Sequence, residues 1–295
     1  SQSLIRDKIQ ELIKNIYSFS KPTLIRDLNI LLKLKLIKSQ GKARATIYLP
    51  IAQNPLLREF DLKRYFVDES DNRIGAKKSF DFSIFNNLHD LFLEKEAGIL
   101  NKYAHSFKEQ TSKLSQDLLK RELERFVIEL SWKSSKIEGN TYTLLETELL
   151  IKEKKEAKGR TRDEAIMILN HKIVFDEILK NKSDFKILSL STITQIHNLL
   201  IKDLKVTTGI RKQAVGITGT TYLPLDNQHQ IREVFEKTLN IINKTKNAFE
   251  KALIAHFMIA YIQPYADGNK RTARMITNAI FLAHNLYPLS YRSVN

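Results

Sequence analysis

Cysteine is absent from the chain, which excludes disulfides and thiolate metal sites and suits a cytoplasmic setting. Nine Gly and six Pro among 295 residues are too few to build long structureless linkers. No apolar run reaches the roughly 18 residues that a membrane-spanning helix needs, so no membrane partner is expected. The first residues, SQSLIRDKIQELI, interleave charge with apolar positions, unlike a secretory signal peptide. Seven His are scattered without ligand-like spacing, so no structural zinc is expected.

Positive charge is what the chain does have. The net charge is +15, and residues 1–50 hold ten Lys/Arg against three Asp/Glu, or +7. Charge concentrated in this way favours a polyanionic partner, although a Lys-rich solvated surface would give the same composition. The length allows one large or two modest domains, each with its own core. Whether the protein forms a homo-oligomer stays open.

Leu4, Ile5, Ile9, Leu12, Ile13 and Ile16 recur at helical spacing. After SFSKPT a second helix is expected, with Ser20 as its cap and Pro22 in its first turn. A Gly turn and a β-prone TIYL follow. Helix, helix and basic hairpin together resemble the latter part of a winged helix-turn-helix. The resemblance implies a DNA partner, with Thr23, Arg26 and Asn29 facing a groove and Lys42 and Arg44 on the wing. It departs from the pattern in having one helix before the recognition helix where two are usual. Residues 1–50 are thus expected as a small winged-helix-like domain and residues 51–84 as a connector.

From residue 85 the pattern is overwhelmingly helical, which predicts a mainly α fold. QAVGITGTTYLP, residues 213–224, breaks it with β-branched residues around Thr-Gly-Thr and predicts a β-hairpin.

The stretch YIQPYADGNKRTARM, residues 261–275, joins two apolar helices through a polar turn. Pro264 should end the first helix, and Asn269 can cap the second. A helix N-terminus offers free N–H groups and a partial positive charge. Lys270, Arg271 and Arg274 add cations, the two Arg at i and i+3, which makes an anion site. Asp267 would oppose an anion unless Mg²⁺ bridges the two. These residue types point to a Mg-nucleotide loop.

QPYADGNKRTAR is similar to the signature of Fic proteins, His-Pro-Phe-x-Asp/Glu-Gly-Asn-Gly-Arg-x-x-Arg. Pro264, Asp267, Gly268, Asn269, Arg271 and Arg274 match, and Tyr265 is a mild change. Gln263 stands where the family has its catalytic His, and Lys270 where nucleotidylating members have Gly. Asn-Lys-Arg is the wording of the related Doc branch. The resemblance implies a Fic-type helical bundle over residues 85–295. Residues 85–185 would be its N-terminal region and residues 186–295 its catalytic core. It also implies transfer of AMP, or another phosphate-containing group, from ATP or a similar Mg-nucleotide to a Ser, Thr or Tyr hydroxyl of a target protein. Asp267 would hold the Mg²⁺, Gly268 and Asn269 would form an anion hole, and Arg271 and Arg274 would grip the outer phosphates. Gly216, Ile217, Thr218, Gly219 and Thr220 would form a flap that aligns the target by strand addition.

SSKIEG, residues 134–139, resembles the family's inhibitory pattern, with Ser134, Glu138 and Gly139 in register on a helix around residues 126–139. In the family this Glu pairs with the second motif Arg, here Arg274, and displaces the γ-phosphate. An amide at 263 cannot titrate, so binding should persist while transfer slows by roughly 10²–10⁴-fold. His256, two turns earlier, is a candidate substitute base or an ordinary packed His. A brake has little purpose on a dead enzyme, which favours activity. A Doc-like protein phosphotransferase and a non-catalytic nucleotide-sensing DNA-binding regulator remain alternatives. The abrupt end at YRSVN leaves room for a further C-terminal element.

Overall fold

The computed structural model describes residues 4–14, 19–34, 36–41, 46–50, 54–57, 61–73, 76–217 and 219–294. The chain divides into two compact units, Ser1–Glu59 and Phe60–Asn295.

The first unit runs β1 (Leu4–Ile5), α1 (Arg6–Lys14), α2 (Lys21–Lys33), β2 (Ile37–Gln40) and β3 (Ile47–Pro50). Its sheet has the order β1-β3-β2, antiparallel throughout, with Leu4 opposite Tyr48 and Ser39 opposite Tyr48. Helix α2 starts where the sequence predicts: Ser20 accepts the Thr23 N–H, and Pro22 occupies the first turn, where a missing N–H costs nothing. Leu24 and Leu28, one turn apart, are its buried residues, and α1 buries none among those described. Lys42 and Arg44 of the expected wing lie outside the described residues.

The second unit is helical. After a short α3 (Leu62–Tyr65) come α4 (Glu94–Ser112), α5 (Gln116–Ile137), α6 (Leu144–Glu153), α7 (Arg162–Lys180), α8 (Leu190–Leu200), α9 (Gln228–Lys244), α10 (Ala248–Ile262) and α11 (Asn269–Ala283). Helix α10 is apolar nearly all round, with Ala252, Ile254, Ala255, Met258, Ile259 and Ile262 fully buried, as expected of a central helix. It packs against α11, which also touches α5, α7 and α8. Among the described residues no helix is long and apolar enough to cross a membrane.

The end of the expected connector belongs to this core. Phe80 is buried and stacks on Tyr261 with centroids 4.8 Å apart, and the Asp81 N–H donates to the Tyr261 hydroxyl at 2.9 Å.

Candidate functional site

Helix α10 stops at Ile262 because Gln263 turns left-handed, with φ 51° and ψ 60°. A non-glycine residue in that region is strained, by about 1–3 kcal/mol, and must be held there by its surroundings. Three contacts hold it. The Gln263 amide N–H donates to the Ala260 carbonyl at 2.6 Å, and its Oε1 accepts from Asn269 Nδ2 at 2.9 Å. Its backbone carbonyl accepts from Arg211 Nε at 2.7 Å.

The sequence reading gives Asn269 a capping role, and the structure corrects it. Gly268 is the cap residue, at φ 79°, and among the described residues no side chain caps the helix. Asn269 is the first residue of α11, and its side chain folds back to accept the Tyr265 N–H and donate to the Tyr265 carbonyl, at 2.9 and 2.8 Å. Asn269 thus staples the turn shut, and among the described residues the first N–H groups of α11 have no side-chain partner. Gly268 is needed twice over: its φ is positive, and a Cβ would sit 3.3 Å from Ile201 Cγ2.

Below the turn, the buried Tyr265 ring stacks on His197 at 3.7 Å, and His197 Nε2 donates to the Asp267 carbonyl at 2.9 Å. Burial lowers the His197 pKa, as a neutral ring donating to a carbonyl requires.

Asp267 and Lys270 are exposed at the mouth, whereas Arg271 and Arg274 are buried on one face of α11. Arg271 Nη2 reaches Asp267 Oδ2 at 3.0 Å. Its Nη1 is buried and meets no acceptor among the described residues. A buried guanidinium with a bare N–H is costly, on the order of 1–3 kcal/mol, unless an anion arrives to accept it.

Arg274 is engaged by α5. Its Nη2 donates to Glu138 Oε1 at 2.6 Å and to the Ser134 carbonyl at 3.0 Å, and its Nε donates to Ser134 Oγ at 2.8 Å. The end of α5 explains why Gly follows Glu here. Gly139, at φ 92°, donates to the Lys136 carbonyl, and Asn140 donates to Ser135 at 3.1 Å. These two bonds form a Schellman cap that only Gly enters freely, and it fixes Glu138 at the helix end.

A cavity of about 180 Å³ opens between Glu138, Val215, Gly216, Ile217 and the turn Gln263, Ala266–Lys270. The described residues of 213–224 do not form the expected hairpin. They make an extended loop with a turn closed by the Thr220 N–H on the Ile217 carbonyl at 3.3 Å. The Leu223 N–H pairs with the Lys78 carbonyl at 2.9 Å, within an isolated parallel bridge of Ser79 and Leu223. β-Propensity reflects the partner a strand finds, and here the described partner lies in residues 78–79. Arg211 anchors the loop base through the carbonyls of Gln213 and Leu225, and Arg73 donates to Gly219. Thr218 lies outside the described residues.

His256 does not line this cavity. It bonds Thr277 Oγ1 at 3.1 Å and stacks on Tyr291, so it is a packed histidine. In the first unit, Arg26 and Asn29 are exposed on α2, while Thr23 is tied to Ser20 Oγ at 2.9 Å.

Three residues of the site carry no signal in the sequence: His197, Arg211 and His171. They sit on separate segments: His197 and Arg211 meet the turn at Asp267 and Gln263, and His171 meets Ser134, only in the fold. A buried cation or imidazole without a nearby partner in sequence would have been the one clue.

Residues 187–281 match the profile of the Fic/DOC family. The protein adenylyltransferase Fic of Nematostella vectensis is 26% identical over 187 residues, which is 59% of this chain and 42% of that protein. Its counterpart in Aedes aegypti is 28% identical over 181 residues, 58% of this chain and 35% of that protein. The match therefore spans well under half of these relatives. A Fic family protein from Desulfovibrio desulfuricans superposes with a TM-score of 0.58 at 20% identity, covering 69% of this chain and 63% of that one. Residues 187–281 are a Fic domain.

Proposed function

We propose that this chain is a Fic-type transferase that moves AMP from Mg-ATP to a hydroxyl of a target protein, restrained by Glu138 and slowed by Gln263. The observation that carries the reading is Arg271, buried beside Arg274 with a donor left bare at the head of α11. A polyphosphate satisfies that donor, the free N–H groups of the helix start and, once Glu138 leaves, Arg274. The cavity of about 180 Å³ is below the roughly 300–1,000 Å³ usual for small-molecule sites. Withdrawal of Glu138, one of its walls, supplies the missing room.

Asp267 would hold Mg²⁺. Its carboxylate is 66% exposed, and Mg²⁺ commonly takes one or two carboxylates, with phosphate and water for the rest. The bound ion would supply charge neutralisation at the phosphates. Gln263 can accept no proton from a target hydroxyl; its amide serves to hold Asn269. The loop at Gly216–Thr220 would receive an extended target segment.

Lys270, exposed at the cavity mouth, supports phosphotransfer as the second reading. ATP labelled at the α- or γ-phosphate distinguishes the two. With Glu138→Gly, entry of the α-label into protein is expected; entry of the γ-label alone would instead favour the Doc-like reaction, and nucleotide binding without either label would leave a sensor. The first unit is proposed to contact duplex DNA through Arg26, Asn29 and Lys33, which project together at i, i+3 and i+7 of α2. Binding that does not weaken steeply between two salt concentrations would contradict it.

A further inference from the structure

The hold of α5 on Arg274 extends one residue beyond the Glu138 pair. Ser134 Oγ, which accepts from Arg274 Nε at 2.8 Å, also lies 2.8 Å from Nε2 of His171 on α7. On the other side of the ring, His171 Nδ1 lies 2.8 Å from the Met167 carbonyl.

The direction of every hydrogen in this chain follows from elementary valence. A carbonyl only accepts, so Nδ1 carries the ring hydrogen. In a neutral imidazole Nε2 is then bare and must accept, which commits the Ser134 hydroxyl hydrogen to His171. The serine lone pairs are left facing the guanidinium, which can only donate. The run is Arg274 to Ser134 to His171 to Met167, with Ser135 Oγ a second, longer neighbour of Nδ1 at 3.4 Å. His171 and Ser134 are fully buried, and Arg274 is 5% exposed, so no water competes for these positions. The ring stays neutral: burial, with Arg271 and Arg274 nearby, pulls its pKa down to about 3.

We propose that His171 is a positioning residue of the inhibitory clamp: by accepting the Ser134 hydroxyl it aims the serine oxygen at Arg274 and keeps Glu138 closed over the phosphate site. This inference rests on the reading given under Proposed function. Without an acceptor at 171, the Ser134 hydroxyl would turn toward its own helix, bonding the carbonyl four residues back. Its lone pairs would then leave Arg274, and the clamp would loosen although Glu138 is intact. Buried networks of this kind fix one geometry only while every member is matched.

The test is calorimetric titration of the full chain with Mg-ATP. His171→Leu removes both ring functions and is expected to tighten Mg-ATP binding by about three- to tenfold, within the range of coupling between neighbours in one network. His171→Gln restores one donor and one acceptor and should stay within about twofold of the parent. In a Glu138→Gly background His171→Leu should add nothing, because the clamp is already open. If His171→Leu does not fold, Ser134→Ala carries the same expectation with a smaller change of volume. Tightening by Glu138→Gly without tightening by His171→Leu or Ser134→Ala overturns the role of His171 alone. Equal tightening by His171→Leu with and without Glu138 also overturns it. Failure of Glu138→Gly to bind Mg-ATP at all removes the nucleotide reading itself, and this inference with it.

Discussion

Arg274 Nη2 lies 2.6 Å from Glu138 Oε1, an ion pair between the first turns of α11 and the cap of α5 across 136 residues of sequence. The arginine is buried, and the carboxylate is 23% exposed. Removing the partner of a buried cation costs more than the pair itself contributes. Solvent at the Glu138 side moderates that cost to about 1–3 kcal/mol. Glu138→Gln is therefore expected to lower the melting temperature of the free protein while enlarging the upward shift that Mg-ATP produces. Thermal melts with and without Mg-ATP measure both.

Gln263 has two separable roles. In the proposed transferase, a residue without a titratable proton at this position withholds general-base help worth roughly 10²–10⁴-fold. Gln263→His should accordingly raise label transfer from α-labelled ATP by that order in the Glu138→Gly background. As the staple of Asn269, its amide supports the turn. Gln263→Ala should cost about 1–3 kcal/mol of stability by leaving a buried Asn269 donor short of a partner. A fall in transfer with His, measured beside intact nucleotide binding, would show that the amide itself has a chemical task.

Gly268→Ala tests the turn. The residue sits at φ 79°, and a Cβ would meet Ile201 Cγ2 at 3.3 Å and Arg271 Nη2 at 3.5 Å. A loss of about 1–3 kcal/mol in urea unfolding is expected, from strain alone. Mg-ATP binding should weaken as well, since the strain falls on the residue that opens α11 and presents its first N–H groups. An unchanged urea midpoint would contradict the assignment of strain to this residue.

Acid should destabilise the protein through His171. The unfolded histidine takes up a proton near pH 6.5, and the folded one, at about 3, does not. Between those values the unfolded state binds more protons, so stability falls as pH falls, by up to ~1.4 kcal/mol per pH unit. Burial shifts His197, His256 and His284 in the same direction. Glu164, held to about 2 chiefly by the Thr141 hydroxyl, acts only below its ordinary range and so stays out of this window. Comparing urea midpoints at pH 6.5 and 5 should therefore give a shallower fall in His171→Gln than in the parent. Equal slopes would show that the ring is not held neutral.

The turn from Gln263 to Arg274 was legible because Pro, Gly and clustered cations stand within a dozen residues between two apolar helices. Glu138 was legible through the short pattern around Ser134, and the Schellman cap at Gly139 supplies its physical basis. Asn269 was misplaced by one position, since a Gly at positive φ and an Asn both suit the start of α11. His171 and His197 were not legible, because ordinary positions on α7 and α8 reach Ser134 and Asp267 only through tertiary packing. Residues 213–224 carry β-branched residues as their only sequence signal, and the described partner, Lys78, lies in a stretch with the composition of a connector.

The most direct measurement is titration of the parent and of Glu138→Gly with Mg-ATP in a calorimeter. With Arg274 released and Arg271 Nη1 already without an acceptor among the described residues, the variant should bind at least about tenfold more tightly, a difference of ~1.4 kcal/mol. Absence of binding heat in Glu138→Gly, or the same Kd in both proteins, would contradict the assignment of these two arginines to a polyphosphate.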